Sequence, residues 1–396
     1  MALNGLLWLG LLVCVCPVVV FCLQVFTAWL RPGPTGSGTG DGLDNPPPPT
    51  SVILMPAHNE EKVIGDTLAR LKGLLPQVRV LVVADNCTDA TADIARSLGA
   101  WVVERTSADL RGKGYALQYG LEQLRAQAPE VVMVLDADCS TTPADMHRLA
   151  FACARMAVPV QGIYLMHAPE GAAIGGKVAE FAWLVKTMVR PLGWRAWGGT
   201  CQLMGSGFAL PWHIAQTLNL ASGHIVEDMK LTMDLAARRL APVFVGTSKV
   251  TSVFPTAVAA QSTQRRRWEH GHLGMIVSEV PRALLKAALT ANRQLAAVAL
   301  DLLVPPLSLL VLLLAGLSLL ALVQAVGWGL SWAVWLVWLL AAALGCAVLL
   351  AWSTWGRAVL TARELASIPG FVWRKLGVYT GFLWRRERQW TRTDRD

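Results

Sequence analysis

Asp136-Ala137-Asp138 follows the apolar run Val131–Leu135. Two carboxylates at i and i+2, just past a buried strand, can hold a hard divalent ion such as Mg2+ or Mn2+. Water and phosphate oxygens would complete its shell. Bridging a diphosphate, that ion would neutralise charge developing on a leaving group. Glu227-Asp228 opens the helical pattern of residues 228–240. Attack by a hydroxyl needs a base within hydrogen-bond reach of its proton, and Asp228 is the candidate. Acidic residues at a helix start also suit the helix dipole alone. In Gln264-Arg265-Arg266-Arg267-Trp268, the residues Gln264, Arg267 and Trp268 are spaced i, i+3, i+4 and share one helix face. That face offers an amide, a guanidinium fork for a diphosphate and an indole on which a sugar ring can stack. The chain closes on Trp390-Thr391-Arg392-Thr393-Asp394-Arg395, which by itself reads as a basic terminus.

Something must hold these groups together. Residues 50 to about 255 alternate strand and helix signals. Ser51–Ala57, Arg79–Ala84, Ala100–Glu104 and Val131–Leu135 are short apolar, β-branched runs, with helical stretches at about 61–75, 89–98 and 113–127. The alternation predicts right-handed βαβ units and a mostly parallel sheet, an α/β fold. Ligands on such sheets bind at the carboxyl ends of the strands. His58-Asn59-Glu60, Asp85-Asn86 and Asp136-Ala137-Asp138 all fall at such ends.

The rest of the chain is built for lipid. Apolar residues make up 54% of its 396 residues and charged residues 16%, against about a quarter charged in soluble domains. The net charge of +8 does not point to nucleic acid, because the basic residues cluster beside hydrophobic spans. Residues 1–30 carry no charged side chain and read as a retained transmembrane anchor; Arg31 is the first charge after it. Residues 31–49 are a Pro/Gly-rich linker. Residues 302–356 lack charge, and Gly327-Trp328-Gly329 divides them into two spans within 302–355. Residues 357–396 hold nine Arg or Lys against four Asp or Glu. Positive-inside reasoning then puts the domain and tail in the cytoplasm, at the inner membrane, with the N-terminus outside. Val178–Trp197 and Phe371–Trp390 mix aromatic and basic residues, and are expected to lie in the headgroup plane with their cations snorkelling. The eight cysteines show no metal spacing and read as reduced packing residues.

Taken in order, these motifs resemble an inverting glycosyltransferase of family 2 with a GT-A fold, nearest the membrane synthases of cellulose, chitin, hyaluronan and poly-N-acetylglucosamine. The resemblance covers about residues 50–275 and the last few residues. It implies a catalytic domain at 50–255, the Gln-x-x-Arg-Trp and interfacial helices at 256–301, and interfacial helices with a gate-like tail at 356–396. Pro56-Ala57-His58-Asn59-Glu60 matches the segment that lines the family's nucleotide pocket, which assigns Ala57, His58 and Glu60 to the donor. By the same resemblance Asp85 reads a uracil, Lys113 of Arg111-Gly112-Lys113-Gly114 sits near the donor, and Asp136 and Asp138 hold the metal. Gly205-Ser206-Gly207-Phe208 resembles the acceptor region, with Gly205, Ser206, Glu227 and Trp268 on that side. Asp228 maps to the base, and Gln264 and Arg267 to the donor diphosphate. Trp390, Thr393 and Arg395 fit a segment that closes over the bound nucleotide. The resemblance implies transfer from a UDP-sugar to a polysaccharide or lipid-linked acceptor with a β-linkage, as in exopolysaccharide synthesis. Three spans are too few to enclose a polymer, which leaves room for an oligomer or a separate export partner. Single-sugar transfer to a membrane lipid, as by ceramide glucosyltransferase, and a non-catalytic nucleotide-binding subunit are the alternative readings.

Overall fold

The computed structural model describes residues 2–31, 47–198, 200–221, 225–366, 368, 370 and 379. Most of the linker and the closing motif, with Trp390, Thr393 and Arg395, lie outside the described residues.

Among the described residues seven strands form one sheet in the order β3-β2-β1-β4-β6-β5-β7. They are β1 (Ser51–Ala57), β2 (Val78–Asp85), β3 (Trp101–Arg105), β4 (Val131–Val134), β5 (Val160–His167), β6 (Phe208–Pro211) and β7 (Val243–Val253). Neighbours are parallel except around β6, which runs against both β4 and β5. The sheet is thus mostly parallel, as the alternation predicts. Successive side chains of a strand point to opposite faces. Val52 and Leu54 of β1 pack with Leu81 and Val83 on one face. Ile53 and Met55 pack with Val82 and Met133 on the other. Burial on both faces explains why these strands read as continuous apolar runs.

Helices cover both faces. On one lie α2 (Ile64–Arg70), α3 (Thr91–Ser97) and α5 (Pro143–Met156). On the other lies α4 (Lys113–Leu124), whose Leu117, Leu121 and Leu124 are buried against the sheet. The start of α5 is locally encoded: the Thr142 hydroxyl accepts from the Asp145 N–H at 3.1 Å, with Pro143 in the first turn. After β5 come α6 (Ile174–Leu184), a π-helical turn at Val185–Val189 and α7 (Arg190–Arg195). Next are α8 (Trp212–Ala215), α9 (Glu227–Ala237), α10 (Val258–Ser278), α11 (Val280–Leu289) and α12 (Arg293–Leu303).

Among the described residues three helices are long and apolar enough to cross a membrane: α1 (Ala2–Leu30), α13 (Leu307–Trp328) and α14 (Trp332–Ala351), the last continued by a π-helical turn to Gly356. They share one apolar cluster with α6 and α7. Where α7 crosses α1, Gly193 leaves no room for a side chain. A Cβ there would lie 1.7 Å from the Gln24 carbonyl oxygen.

That crossing corrects the snorkelling expectation for Arg190 within Val178–Trp197. Arg190 is buried, not turned to a lipid surface. Its guanidinium donates to the Asp301 carboxylate and carbonyl, both at 2.7 Å, and to the Gln24 side-chain oxygen at 2.8 Å. Gln24 and Gln202 donate in turn to Asp301, at 2.6 and 2.5 Å. A buried charge is tolerated when it is paired and hydrogen-bonded, and these partners supply that. Phe371–Trp390 lies outside the described residues apart from Tyr379.

Candidate active site

The carboxyl ends of β1, β2 and β4 set out the first half of the site. In register, Ala57 pairs with Ala84 and Leu54 with Val134, so the polar residues that follow each strand emerge side by side. They open into a cavity of about 450 Å3, within the range of small-molecule sites. Ala57, His58, Glu60, Asp85, Lys113, Asp136, Asp138, Gly205, Glu227, Asp228, Gln264, Arg267 and Trp268 all line it.

On the nucleotide side, His58 Nδ1 meets the Asp85 carbonyl oxygen at 2.6 Å. One oxygen of the Asp85 carboxylate accepts from Arg105 at 2.5 Å and from Asn86 at 3.1 Å. Arg105, on the neighbouring strand β3, thus fixes a carboxylate that would otherwise be buried alone.

Asp136 and Asp138 sit just beyond β4. Antiparallel β6 brings the 205–207 turn beside them, with the Gly207 N–H bonded to the Val134 carbonyl at 2.9 Å. The Ser206 hydroxyl accepts from the Asp136 N–H at 3.0 Å and meets the Cys139 thiol at 3.3 Å. Ser206 is fully buried and does not line the cavity. It holds the Asp136 loop from behind and offers nothing to an acceptor. Ser252 on β7 donates to Asp138 at 2.9 Å. The ligand atoms of Asp136, Asp138 and Cys139 lie within 4.8 Å of one another. Burial pushes the Cys139 thiol well above its ordinary range. The two carboxylates are oxygen donors of the kind that suits Mg2+ or Mn2+. They fit as ligands, with Cys139 as packing behind them.

Lys113, the first residue of α4, forms an ion pair with Asp136 and donates to the Gly205 carbonyl at 2.7 Å. Burial works against its charge, but the Asp136 and Glu227 carboxylates hold its pKa above the ordinary lysine value. Gly205 adopts a φ of +81°, a left-handed conformation that favours glycine. A Cβ on it would lie 3.7 Å from both Lys113 Nζ and Asp228 Oδ2. The Asp228 carboxylate therefore reaches the same turn as the Asp136 side of the cavity.

Asp228 is held at the start of α9, where one of its oxygens accepts from the Met229 N–H at 2.8 Å. Burial raises its pKa, against the pull of Lys186 and Lys113. Burial and then the Asp228 charge push Glu227 up to about 7, with Lys113 and Arg267 opposing. Two adjacent acids that resist ionising together titrate as a pair. From α10, Gln264, Arg267 and Trp268 face the cavity together, as their spacing requires. The Trp268 ring packs on Trp183 with centroids 5.0 Å apart.

Sequence reasoning missed Arg105, Ser252, Trp183 and Lys186. Lys186 carried no distinguishing signal: four residues before Arg190, it reads as another snorkelling cation. Its ammonium lies 5.4 Å from the Trp183 ring centroid and lines the cavity.

Residues 52–166 match the family model for Glycosyl transferase family 2, and residues 131–350 match that for Glycosyl transferase family group 2. The Low-salt glycan biosynthesis hexosyltransferase Agl6 of Haloferax volcanii is 37% identical over 95 residues, covering 23% of this chain and 22% of that protein. The 4,4'-diaponeurosporenoate glycosyltransferase of Staphylococcus aureus is 42% identical over 71 residues, 18% of this chain and 19% of that one. The chain thus spans about a fifth of the length of these two relatives. In fold it is similar to the mannosyltransferase PcManGT from Pyrobaculum calidifontis, solved in complex with GDP-Man and Mn2+. That match covers 98% of this chain and 99% of the other, at a TM-score of 0.56 and 18% identity.

Proposed function

The chain belongs to glycosyltransferase family 2, and from that premise we propose that it transfers a hexose from a UDP-sugar to a hydroxyl of a glycan or lipid-linked acceptor at the inner membrane, forming a β-linkage. One observation carries the reading. The Asp228 carboxylate and the Lys113–Asp136 pair approach the same Gly205 turn inside one cavity. A base and a diphosphate-binding group are thereby close enough to act on one bond.

The residues divide the work as follows. Ala57, His58, Glu60 and Asp85 line the part of the cavity that suits the nucleoside. A divalent ion bound by Asp136 and Asp138 would neutralise charge on the departing diphosphate. Lys113, Gln264 and Arg267 add fixed positive charge and donors for the same oxygens, already oriented before reaction. Trp268, braced by Trp183, stacks the acceptor. Asp228 takes the acceptor proton as the hydroxyl oxygen attacks the anomeric carbon from the side opposite the leaving group, which inverts that centre. Glu227 is beside it on the acceptor side and shares the titration. Gly205 serves through its backbone, by the carbonyl that fixes Lys113.

Orientation follows from charge. Arg31 follows α1 and Arg357 follows the last span, so the sheet domain faces the cytoplasm. The product is then a surface polysaccharide or its lipid-linked precursor.

The test is a donor panel. Membranes containing the chain are incubated with UDP-sugars and, because the structural neighbour was solved with GDP-Man, with GDP-sugars. Metal-dependent release of nucleoside diphosphate from one UDP-sugar is expected. Release from GDP-sugars alone would overturn the choice of nucleotide. Release from none would overturn the reading itself.

A further inference from the structure

A second cavity of about 190 Å3 adjoins the first. Trp183, Lys186, Gln264 and Trp268 line both. The far wall of the second is Phe21 of α1, Val304 to Leu307 at the start of α13, and Val348 of α14. It therefore runs from the acceptor side of the catalytic cavity to the helices that are long enough to cross a membrane. Its volume lies below that of drug-sized pockets, so it suits the proximal stretch of a chain, the remainder lying in lipid.

Its lining is mostly apolar, and its charged residues are Lys186, Arg190, Arg265 and Glu269, an excess of positive charge. Arg190 is taken up by Asp301 and Gln24. Lys186 is placed differently. Among the described residues its ammonium makes no hydrogen bond or ion pair; it stands over the Trp183 ring and feels the Asp228 charge. Burial lowers its pKa, as expected where a cation lacks an adjacent anion. A half-buried cation at the seam of an apolar cavity and a catalytic one suits a ligand with a negative group between a hydrocarbon chain and a reactive end.

We propose that Lys186 binds the phosphate-class group of an anionic lipid acceptor, whose hydrocarbon chain enters the second cavity and whose nucleophilic hydroxyl meets Asp228. The proposal rests on the transferase reading above and narrows its acceptor. The hydroxyl oxygen forms the new bond to the anomeric carbon. The bond from that carbon to the diphosphate oxygen breaks, its electron pair leaving with the nucleoside diphosphate. The hydroxyl proton passes to Asp228.

Three acceptors separate the contributions: a hexosyl-diphosphoryl farnesol, a neutral farnesyl hexoside, and a hexosyl methyl diphosphate that has the charge without the chain. Each is given with the active donor to the full chain in nanodiscs of neutral lipid, and nucleoside diphosphate release is followed. A charge-assisted contact of the ordinary strength makes the KM for the anionic farnesyl acceptor about tenfold or more below that of the neutral one, and loss of the buried chain raises the KM of the methyl diphosphate as well. Lys186→Met should erase the preference for the anionic over the neutral farnesyl acceptor while leaving donor Kd unchanged, and Lys186→Arg should keep most of it. A residue that only braced the fold or tuned Asp228 would not move that ratio. Wild type that binds donor but is not stimulated by the anionic farnesyl acceptor overturns the proposal, as does a preference that survives in Lys186→Met. Wild type that binds no nucleotide sugar in calorimetry defeats the transferase reading as well.

Discussion

Arg190→Met should loosen the catalytic domain from its membrane helices. The guanidinium joins three elements: α1 through Gln24, α12 through Asp301, and its own helix α7. Removing one partner of a buried ion pair costs about 3–5 kcal/mol, because the other charge is left uncompensated. Here Asp301 keeps the amide donors of Gln24 and Gln202, which argues for the low end, ~3 kcal/mol. An unfolding entropy of about 2.1 cal/mol/K per residue over 396 residues makes that a fall of ~4 °C in Tm. Differential scanning of the protein in detergent measures it. Arg190→Met combined with Asp301→Leu removes both charges and should recover part of the loss, since a hydrophobic pair of similar volume is often no worse than a buried ion pair. A single variant that melts with wild type, or a double variant that melts lower than the single one, would refute the reasoning.

Two further outcomes follow from the site. Asp138→Ala should weaken donor binding by about tenfold or more and remove its dependence on Mg2+ or Mn2+, because one of two carboxylate ligands is gone; calorimetry with and without EDTA reads this. The pH profile of kcat/KM, which reports the free protein, should rise through about 7, where burial and the Asp228 charge have pushed Glu227. The sign follows from the proton: a raised carboxyl pKa keeps the acid form to higher pH, so base function is lost as pH falls. Glu227→Gln deletes the neighbouring negative charge, lets Asp228 ionise earlier, and should move the acid limb of the rate profile to lower pH. A limb that stays in place would show that the two acids do not titrate together.

The polar motifs were legible because their chemistry depends on spacing that the chain states outright. The Asp136–Asp138 pair after an apolar run, Glu227-Asp228 before a helical period, and Gln264, Arg267 and Trp268 on one helix face all reach the cavity. Strands β1 to β4 were legible as apolar runs. Strand β5 was not, because Gln161, Gly162 and Tyr164 interrupt its pattern; Gln161 is buried and spends its amide on the Ser206 and Gly207 carbonyls at 3.0 Å. Ser206 reads as an acceptor contact by motif, yet its hydroxyl is committed to the Asp136 loop. Lys186 and Arg190 read as snorkelling cations because a basic aromatic helix near spans usually has that role. The carboxylates they face, Asp301 and Asp228, are distant in sequence, and no local period reveals an encounter across the fold.

The most direct test of the account is a paired measurement on Asp228→Asn: donor affinity by calorimetry and nucleoside diphosphate release with acceptor present. The carboxylate is read as the base and not as a donor ligand. Donor Kd should therefore match wild type while kcat falls by about 100- to 10,000-fold, the usual worth of a positioned base. Turnover equal to wild type with donor binding intact would contradict the account.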